Sequence, residues 1–254
     1  MRFTKAIVRT PCKEMINGLS NSNLGRPDYN KALEQHSRYI DALRSCNLEV
    51  IVLDADDNYP DSVFVEDTAL LTPQCAIITN PGAASRRGEV YEISEILKNY
   101  FSNIEHIQAP GTVDAGDIMM AGSHYYIGLS ERTNNDGANR VSKILDKYGM
   151  TSLIVPIKNV LHLKSGIAYL ENNNLVACGE FMKNTEFQKF NIIEVDENES
   201  YAANCVWING TVLIAQGFPK IKRAIQSYGY KIIELNVSEF RKLDGGLSCL
   251  SVRF

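Results

Sequence analysis

The stretch Val212-Leu213-Ile214-Ala215-Gln216-Gly217-Phe218-Pro219-Lys220-Ile221-Lys222-Arg223-Ala224-Ile225-Gln226-Ser227-Tyr228-Gly229-Tyr230-Lys231-Ile232-Ile233-Glu234-Leu235 holds the fold in miniature. A short run of apolar residues ends at a Gly. Pro219 opens a segment in which Ile221, Ile225 and Tyr228 recur at helical spacing, and a second apolar run follows another Gly. This reads as strand, helix, strand. The chain then enters a loop ending in Asp244-Gly245-Gly246-Leu247-Ser248-Cys249-Leu250-Ser251-Val252-Arg253-Phe254. A Gly pair without side chains lets another group approach the backbone closely. Cys249 sits where that turn gives way to a final apolar run.

Working back through the chain, the same order recurs four times. Unit one pairs Ala6-Ile7-Val8 with Val50-Ile51-Val52-Leu53 around a helix through Leu33, His36, Tyr39, Ile40 and Leu43. Unit two pairs Cys75-Ala76-Ile77-Ile78-Thr79 with Ile104-Glu105-His106-Ile107 around Val90, Ile93, Leu97 and Phe101. Unit three pairs Tyr125-Tyr126-Ile127-Gly128 with Leu153-Ile154-Val155 around Val141, Ile144, Leu145 and Tyr148. Unit four pairs Leu175-Val176-Ala177-Cys178 with Ile192-Ile193 around a short helical turn near Phe187. The first strands are almost continuously apolar, as strands covered on both faces are. Such a unit cannot bury its own faces, so five must pack together, with their closing loops converging on one centre. No low-complexity linker interrupts the 254 residues, and a single α/β domain over 1–254 is expected.

Composition narrows the function. An apolar fraction of 44% fills a core, while a net charge of -4 with 22% charged residues leaves no basic footprint for nucleic acid. No apolar run is long enough for a membrane span. The start, Met1-Arg2-Phe3-Thr4-Lys5-Ala6-Ile7-Val8-Arg9, lacks the apolar core of a signal peptide, so a cytoplasmic location is expected. The cysteines at 12, 46, 75, 178, 205 and 249 form no C-x-x-C pair. The histidines at 36, 106, 124 and 162 have no metal-ligand spacing, so neither metal nor organic cofactor is expected.

The loops bring Asp61, Glu66 and Asp67, then Asp114 and Asp117, then His162, then Asn204, then Cys249 to equivalent places. The turns of units two and three add Arg86 and Arg132. Taken singly, each has an ordinary explanation: a solvated Arg, an acidic turn residue, a His inside an apolar stretch, a buried Cys. Their recurrence at equivalent ends of successive units favours a site. Carboxylates pair with a guanidinium, and Arg pairs with a carboxylate through the same fork geometry. An arginine-like amino acid fits such a set.

Seven stretches carry a resemblance to a known family: Pro60-Asp61-Ser62-Val63-Phe64-Val65-Glu66-Asp67; Ser85-Arg86-Arg87-Gly88-Glu89; Ala109-Pro110-Gly111-Thr112-Val113-Asp114-Ala115-Gly116-Asp117; Arg132-Thr133-Asn134; Leu161-His162-Leu163-Lys164; Tyr201-Ala202-Ala203-Asn204-Cys205; and Asp244 through Cys249. Together they resemble the bacterial dimethylarginine dimethylaminohydrolases, within the guanidino-modifying enzymes that include arginine deiminase. The resemblance implies a five-bladed α/β propeller of ββαβ-type units, the pentein fold. It also implies conversion of asymmetrically N-methylated arginines to citrulline and dimethylamine or methylamine. By the same resemblance, Cys249 is the nucleophile and His162 the proton donor, with Asp67 and Asp114 holding the guanidinium nitrogens. Arg86 and Arg132 bind the substrate carboxylate. Asp61, with the carbonyls of Leu19 and Leu243, receives the α-amino group, and Phe64 and Glu66 line the pocket. A homodimer is a further expectation. One departure stands out: bacterial members carry Glu where this chain has Asp114, so the shorter side chain is expected to shift the His162 contact or admit a water. Arginine deiminases are generally longer, with an inserted helical domain that this chain lacks. Amidinotransferases pass the thiouronium carbon to an amine, and a non-catalytic arginine-binding module would not need the thiol and the imidazole.

Overall fold

The computed structural model describes residues 2–254. Five three-stranded sheets follow one another along the chain. Each has one plan: a middle strand lies parallel to an outer strand reached through the unit's helix or turns, and antiparallel to a short inner strand. The middle strands are Lys5–Arg9, Ala76–Ile78, His124–Leu129, Asn174–Cys178 and Thr211–Ala215. The outer strands are Glu49–Leu53, Ile104–His106, Thr151–Pro156, Asn191–Val195 and Lys231–Leu235. Four inner strands, Ala69–Leu71, Ile118–Ala121, Ile167–Tyr169 and Val206–Ile208, precede their middle strands. The fifth, Val252–Arg253, comes from the other end of the chain and pairs with Ala6 and Ile7, joining the two ends in one sheet.

Alternation along the middle strands explains the ring. Successive side chains on a strand point to opposite faces. Ile7 packs with Ala76 and Ile78 of the second unit, whereas Ala6 and Val8 pack with Leu213 and Ala215 of the fifth. Ile77 meets Tyr125 and Ile127. Tyr126 meets Leu175 and Ala177. Val176 meets Val212 and Ile214. Each seam therefore joins neighbouring units, and the five seams close the circle. This is why the middle strands are apolar at nearly every position rather than at every second one. Dry seams on both sides stabilise each buried aliphatic side chain by about 1.5–3 kcal/mol relative to exposure.

The helices lie outside the sheets and carry ordinary stop and start signals. Tyr29–Ser45 is capped by the Asp28 carboxylate, which accepts from Lys31 N, and buries Ala32, His36, Tyr39 and Leu43. Asn135–Lys147 is capped by Asn134 and buries Val141 and Leu145. Pro219–Ser227 begins on its proline and buries Ile221 and Ile225. The fourth unit has only 3-10 turns at Gly179–Lys183 and Thr185–Phe187 where the others have a helix. No helix among the described residues is long and apolar enough to cross a membrane.

The inner strands are what the strand–helix–strand count read from periodicity leaves out. At two to four residues they are too short to show a period of two, and only the resemblance, through its ββαβ unit, supplies them. They also set the site, because the loops leading into them arrive at the centre.

Candidate active site

A cavity of about 140 Å³ opens on one face of the ring, lined by Leu19, Asp61, Phe64, Asp67, Arg86, Asp114, Arg132, His162, Leu243 and Cys249, with neighbouring backbone. All but one of the expected site residues meet here. Asp67 lies in the 3-10 turn Val65–Thr68 and Asp114 just before the turn Ala115–Asp117, each leading into an inner strand. His162 precedes the helical turn Leu163–Gly166. Cys249 lies in Ser248–Leu250, ahead of the closing strand.

The reactive end is a thiol facing a carboxylate-ringed imidazole. His162 Nε2 lies 3.1 Å from Asp114 Oδ2, and Asp114 Oδ1 accepts from Gly82 N at 2.9 Å. The shorter Asp side chain thus reaches the imidazole directly, with no water between. Burial by itself would lower the His162 pKa. The charge of Asp67, the hydrogen bond and charge of Asp114, and the charge of Asp117 reverse that and push it up to about 9. Its apolar sequence neighbours point the other way, because the three acids come from two other loops, Asp67 from one and Asp114 and Asp117 from the next. The donor atoms of Asp67, Asp114 and His162 lie within 4.8 Å of one another, a spacing suited to an organic cation between the carboxylates.

Cys249 is half-buried and its Sγ accepts from Gly246 N at 3.4 Å. Desolvation, then the charges of Glu66 and Asp67, push the thiol up to about 12. At neutral pH the resting pair is therefore a neutral thiol beside an imidazolium. The glycines of the Cys249 turn make room for protein rather than ligand. A Cβ on Gly245 would stand 2.1 Å from the Phe64 ring, and one on Gly246 would stand 2.4 Å from Asn204 Oδ1. Asn204 holds this turn: its amide donates to Lys164 O and Ser248 Oγ, both at 2.9 Å, and its oxygen accepts from Ser248 N.

At the opposite end, Asp61 Oδ1 accepts from Leu19 N at 3.0 Å. Ser20 and Ser22 donate to Lys242 O, and Asn21 N donates to Asp244, clasping this segment over the mouth. Among the described residues the Arg132 guanidinium has no hydrogen-bonded or ion-paired partner. Arg86 differs. It is buried, with Nη1 on Asp67 Oδ2 at 2.6 Å, Nε and Nη2 on Glu89, and Nη2 also on Phe64 O. Only one Nη1–H remains for a ligand, so the two Arg that look equivalent in sequence are not. Glu89 is the residue sequence reasoning missed here. Its spacing from Arg86 on a helical turn is the available signal.

Glu66 does not line this cavity. Its carboxylate lies behind Cys249, accepting from Ser248 Oγ at 2.8 Å and pairing with Lys164 Nζ at 2.7 Å and Arg253 Nη2 at 3.0 Å. It faces a second cavity along the ring's centre. The turn that aims Asp67 at one side aims its neighbour at the other.

A five-unit α/β ring brings a thiol, an imidazole and paired carboxylates together in one cavity, a set of groups that suits a guanidino ligand. Residues 25–252 match the family model described as N,N dimethylarginine dimethylhydrolase, eukaryotic. The N(G),N(G)-dimethylarginine dimethylaminohydrolase of Pseudomonas aeruginosa is 53% identical, over 99% of this chain and 100% of its own. That of Streptomyces coelicolor is 32% identical, over 100% of this chain and 98% of its own. The chain belongs to the dimethylarginine dimethylaminohydrolase family. A structure of the P. aeruginosa enzyme, a cysteine-to-serine variant complexed with citrulline, superposes with a TM-score of 0.99 at 52% identity, covering 100% of both chains.

Proposed function

We propose that this protein hydrolyses asymmetrically N-methylated arginines, dimethylarginine and monomethylarginine, to citrulline and dimethylamine or methylamine through a covalent intermediate on Cys249. The observation that carries the proposal is the convergence of Cys249, His162, Asp67 and Asp114 at one end of a small cavity, with Asp61 and Arg132 also on its wall. Asp67 and Asp114 hold the guanidinium nitrogens. Arg132, with the remaining Nη1–H of Arg86, takes the carboxylate. Asp61 and the carbonyls of Leu19 and Leu243 take the ammonium, and the Phe64 ring flanks the aliphatic stem. Glu66 acts from behind, by fixing Ser248 next to the nucleophile.

The chemistry follows from the charges. In the empty site, burial and the Glu66 and Asp67 carboxylates keep the thiol protonated. A bound guanidinium offsets those charges, and an opposite charge within a few Å lowers an acid's pKa by about 1–3 units. The thiol proton leaves to solvent and the thiolate attacks the guanidinium carbon. The carbon becomes tetrahedral, held by the two carboxylates. His162 passes its proton to the methylated nitrogen, the C–N bond breaks and the amine departs. The thiouronium cation remains on Cys249. Neutral His162 then takes a proton from water, whose oxygen adds to the same carbon. The C–S bond breaks as the C=O forms and the remaining O–H proton leaves to solvent, returning the thiolate and releasing citrulline.

Two similar structures support these roles: the cysteine-to-serine variant of the P. aeruginosa enzyme complexed with citrulline, and a histidine-to-glycine variant of a dimethylarginine dimethylaminohydrolase, 53% identical to this chain, as its adduct with S-methyl-L-thiocitrulline. The reading extends to a homodimer that binds no nucleic acid, in the cytoplasm, where six free thiols stay reduced. The test is incubation with asymmetric dimethylarginine, monomethylarginine and arginine, assaying citrulline from each. Turnover of the methylated substrates well above arginine supports it; preference for arginine makes the protein an arginine deiminase instead.

A further inference from the structure

Asp117 is fully buried and has no part in the mechanism above. Its contacts reach three elements of the site. Oδ1 accepts from Leu163 N at 3.0 Å, the residue immediately after His162. Oδ2 accepts from Ser130 Oγ at 2.6 Å, and that hydroxyl oxygen accepts from Arg132 N at 2.9 Å and Thr133 N at 3.0 Å. Thr133 in turn reaches the next acid, its hydroxyl oxygen accepting from Asp114 N at 3.2 Å. Burial raises the Asp117 pKa, while the charge of His162 and the hydrogen bonds from Ser130 Oγ and Leu163 N work against that rise.

We infer that Asp117 is the positioning residue of the reaction: one buried carboxylate that sets His162, the Arg132 turn and the Asp114 backbone in register with one another. The inference rests on the roles proposed for those three residues. Ser130 and Thr133 relay its position to Arg132 and Asp114, whereas His162 is reached through the adjacent Leu163 N and through the charge of the carboxylate. The other charged or titratable groups near that imidazole are Asp67, Asp114 and the Cys249 thiol, with Arg86 beyond Asp114. Removing the Asp117 charge leaves those in place.

The test compares Asp117→Asn with Ser130→Ala. Histidine NMR on the substrate-free protein reads His162 once its signal is assigned with single His→Gln variants at 36, 106 and 124; His36, shifted down to about 4, and His124, also shifted down, move the other way. In Asp117→Asn the His162 titration should fall by about one pH unit. Its kcat for dimethylarginine should drop about tenfold, and the alkaline limb of the kcat profile should move down with the titration. Ser130→Ala should leave the His162 titration in place and raise KM several-fold through the Arg132 turn. An unchanged His162 titration in folded Asp117→Asn overturns the inference. So does a pair of variants that lose thermal stability while kcat and KM stay at wild type. If Asp117→Asn does not fold, Ser130→Ala decides: an unchanged KM refutes the relay. The NMR arm needs no substrate, so a wild-type protein that makes no citrulline refutes the proposed reaction without deciding this point.

Discussion

Arg86→Ala and Arg132→Ala should fail in different ways. Arg86 bridges two buried carboxylates, Asp67 at 2.6 Å and Glu89 at 2.8 Å. Removing it strands both, and breaking a buried pair costs about 3–5 kcal/mol. For a chain of this size each kcal/mol moves Tm by roughly 2–4 °C, so a fall of roughly 6–20 °C is expected. Activity falls too, because Asp67 loses the group that aims it. Among the described residues the Arg132 guanidinium has no hydrogen-bonded or ion-paired partner, so Arg132→Ala should leave Tm within about 2 °C of wild type. It forfeits a charge-assisted contact to substrate, worth about 1.5–3 kcal/mol, or roughly tenfold to a hundredfold in kcat/KM. Thermal melts read one arm, and citrulline formation against dimethylarginine concentration reads the other. The reasoning is refuted if Arg86→Ala melts with wild type and loses only substrate affinity. The two arginines would then be the equivalent clamp their sequence positions suggest.

Asn204→Ala removes three hydrogen bonds that hold the Cys249 turn and should lower kcat about tenfold with little change in KM, measured by citrulline release. Ile7→Ala opens a cavity in the seam between the first and second units and should cost about 2–5 kcal/mol in urea unfolding with wild-type kinetics below the transition. The folded-state pKa of His162 is raised, from 6.5 to about 9, so its stabilising contribution is complete below about pH 6.5 and is lost as pH rises through about 9. The stability gap between wild type and His162→Gly should therefore shrink by roughly 3 kcal/mol between pH 6 and pH 10 in urea titrations. A gap that stays constant would mean the imidazole is buried neutral.

The ring was legible because its middle strands are buried on both sides. Residues such as Ile7, Tyr126 and Val176 sit in unbroken apolar runs, and five such runs at similar intervals leave few other ways to pack. The inner strands were hidden by their length, and the chain-end pairing of Ala6 with Arg253 has no local signature at all. The site was legible as a set of recurring polar loop residues, and in more detail through the family resemblance. What sequence alone could not supply was direction. Glu66 and Asp67 are neighbours that face opposite cavities. Arg86 is buried between carboxylates, while the Arg132 guanidinium has no hydrogen-bonded or ion-paired partner among the described residues. His162 sits among apolar neighbours in sequence yet is ringed by Asp67, Asp114 and Asp117 in space. The deciding partners of Glu66 and His162 lie on other units, tens of residues away, whereas Arg86 is held within its own unit by Glu89, three residues on, and by Asp67.

The most direct test of the account is to quench the wild-type protein with acid while it turns over dimethylarginine and weigh it intact. A thiouronium on Cys249 predicts a transient species heavier by dimethylarginine less dimethylamine, on the peptide carrying Cys249, absent in Cys249→Ser. Citrulline formation by Cys249→Ser at the wild-type rate, or a wild-type protein that turns over with no adduct at any quench time or pH, would contradict covalent catalysis by this thiol.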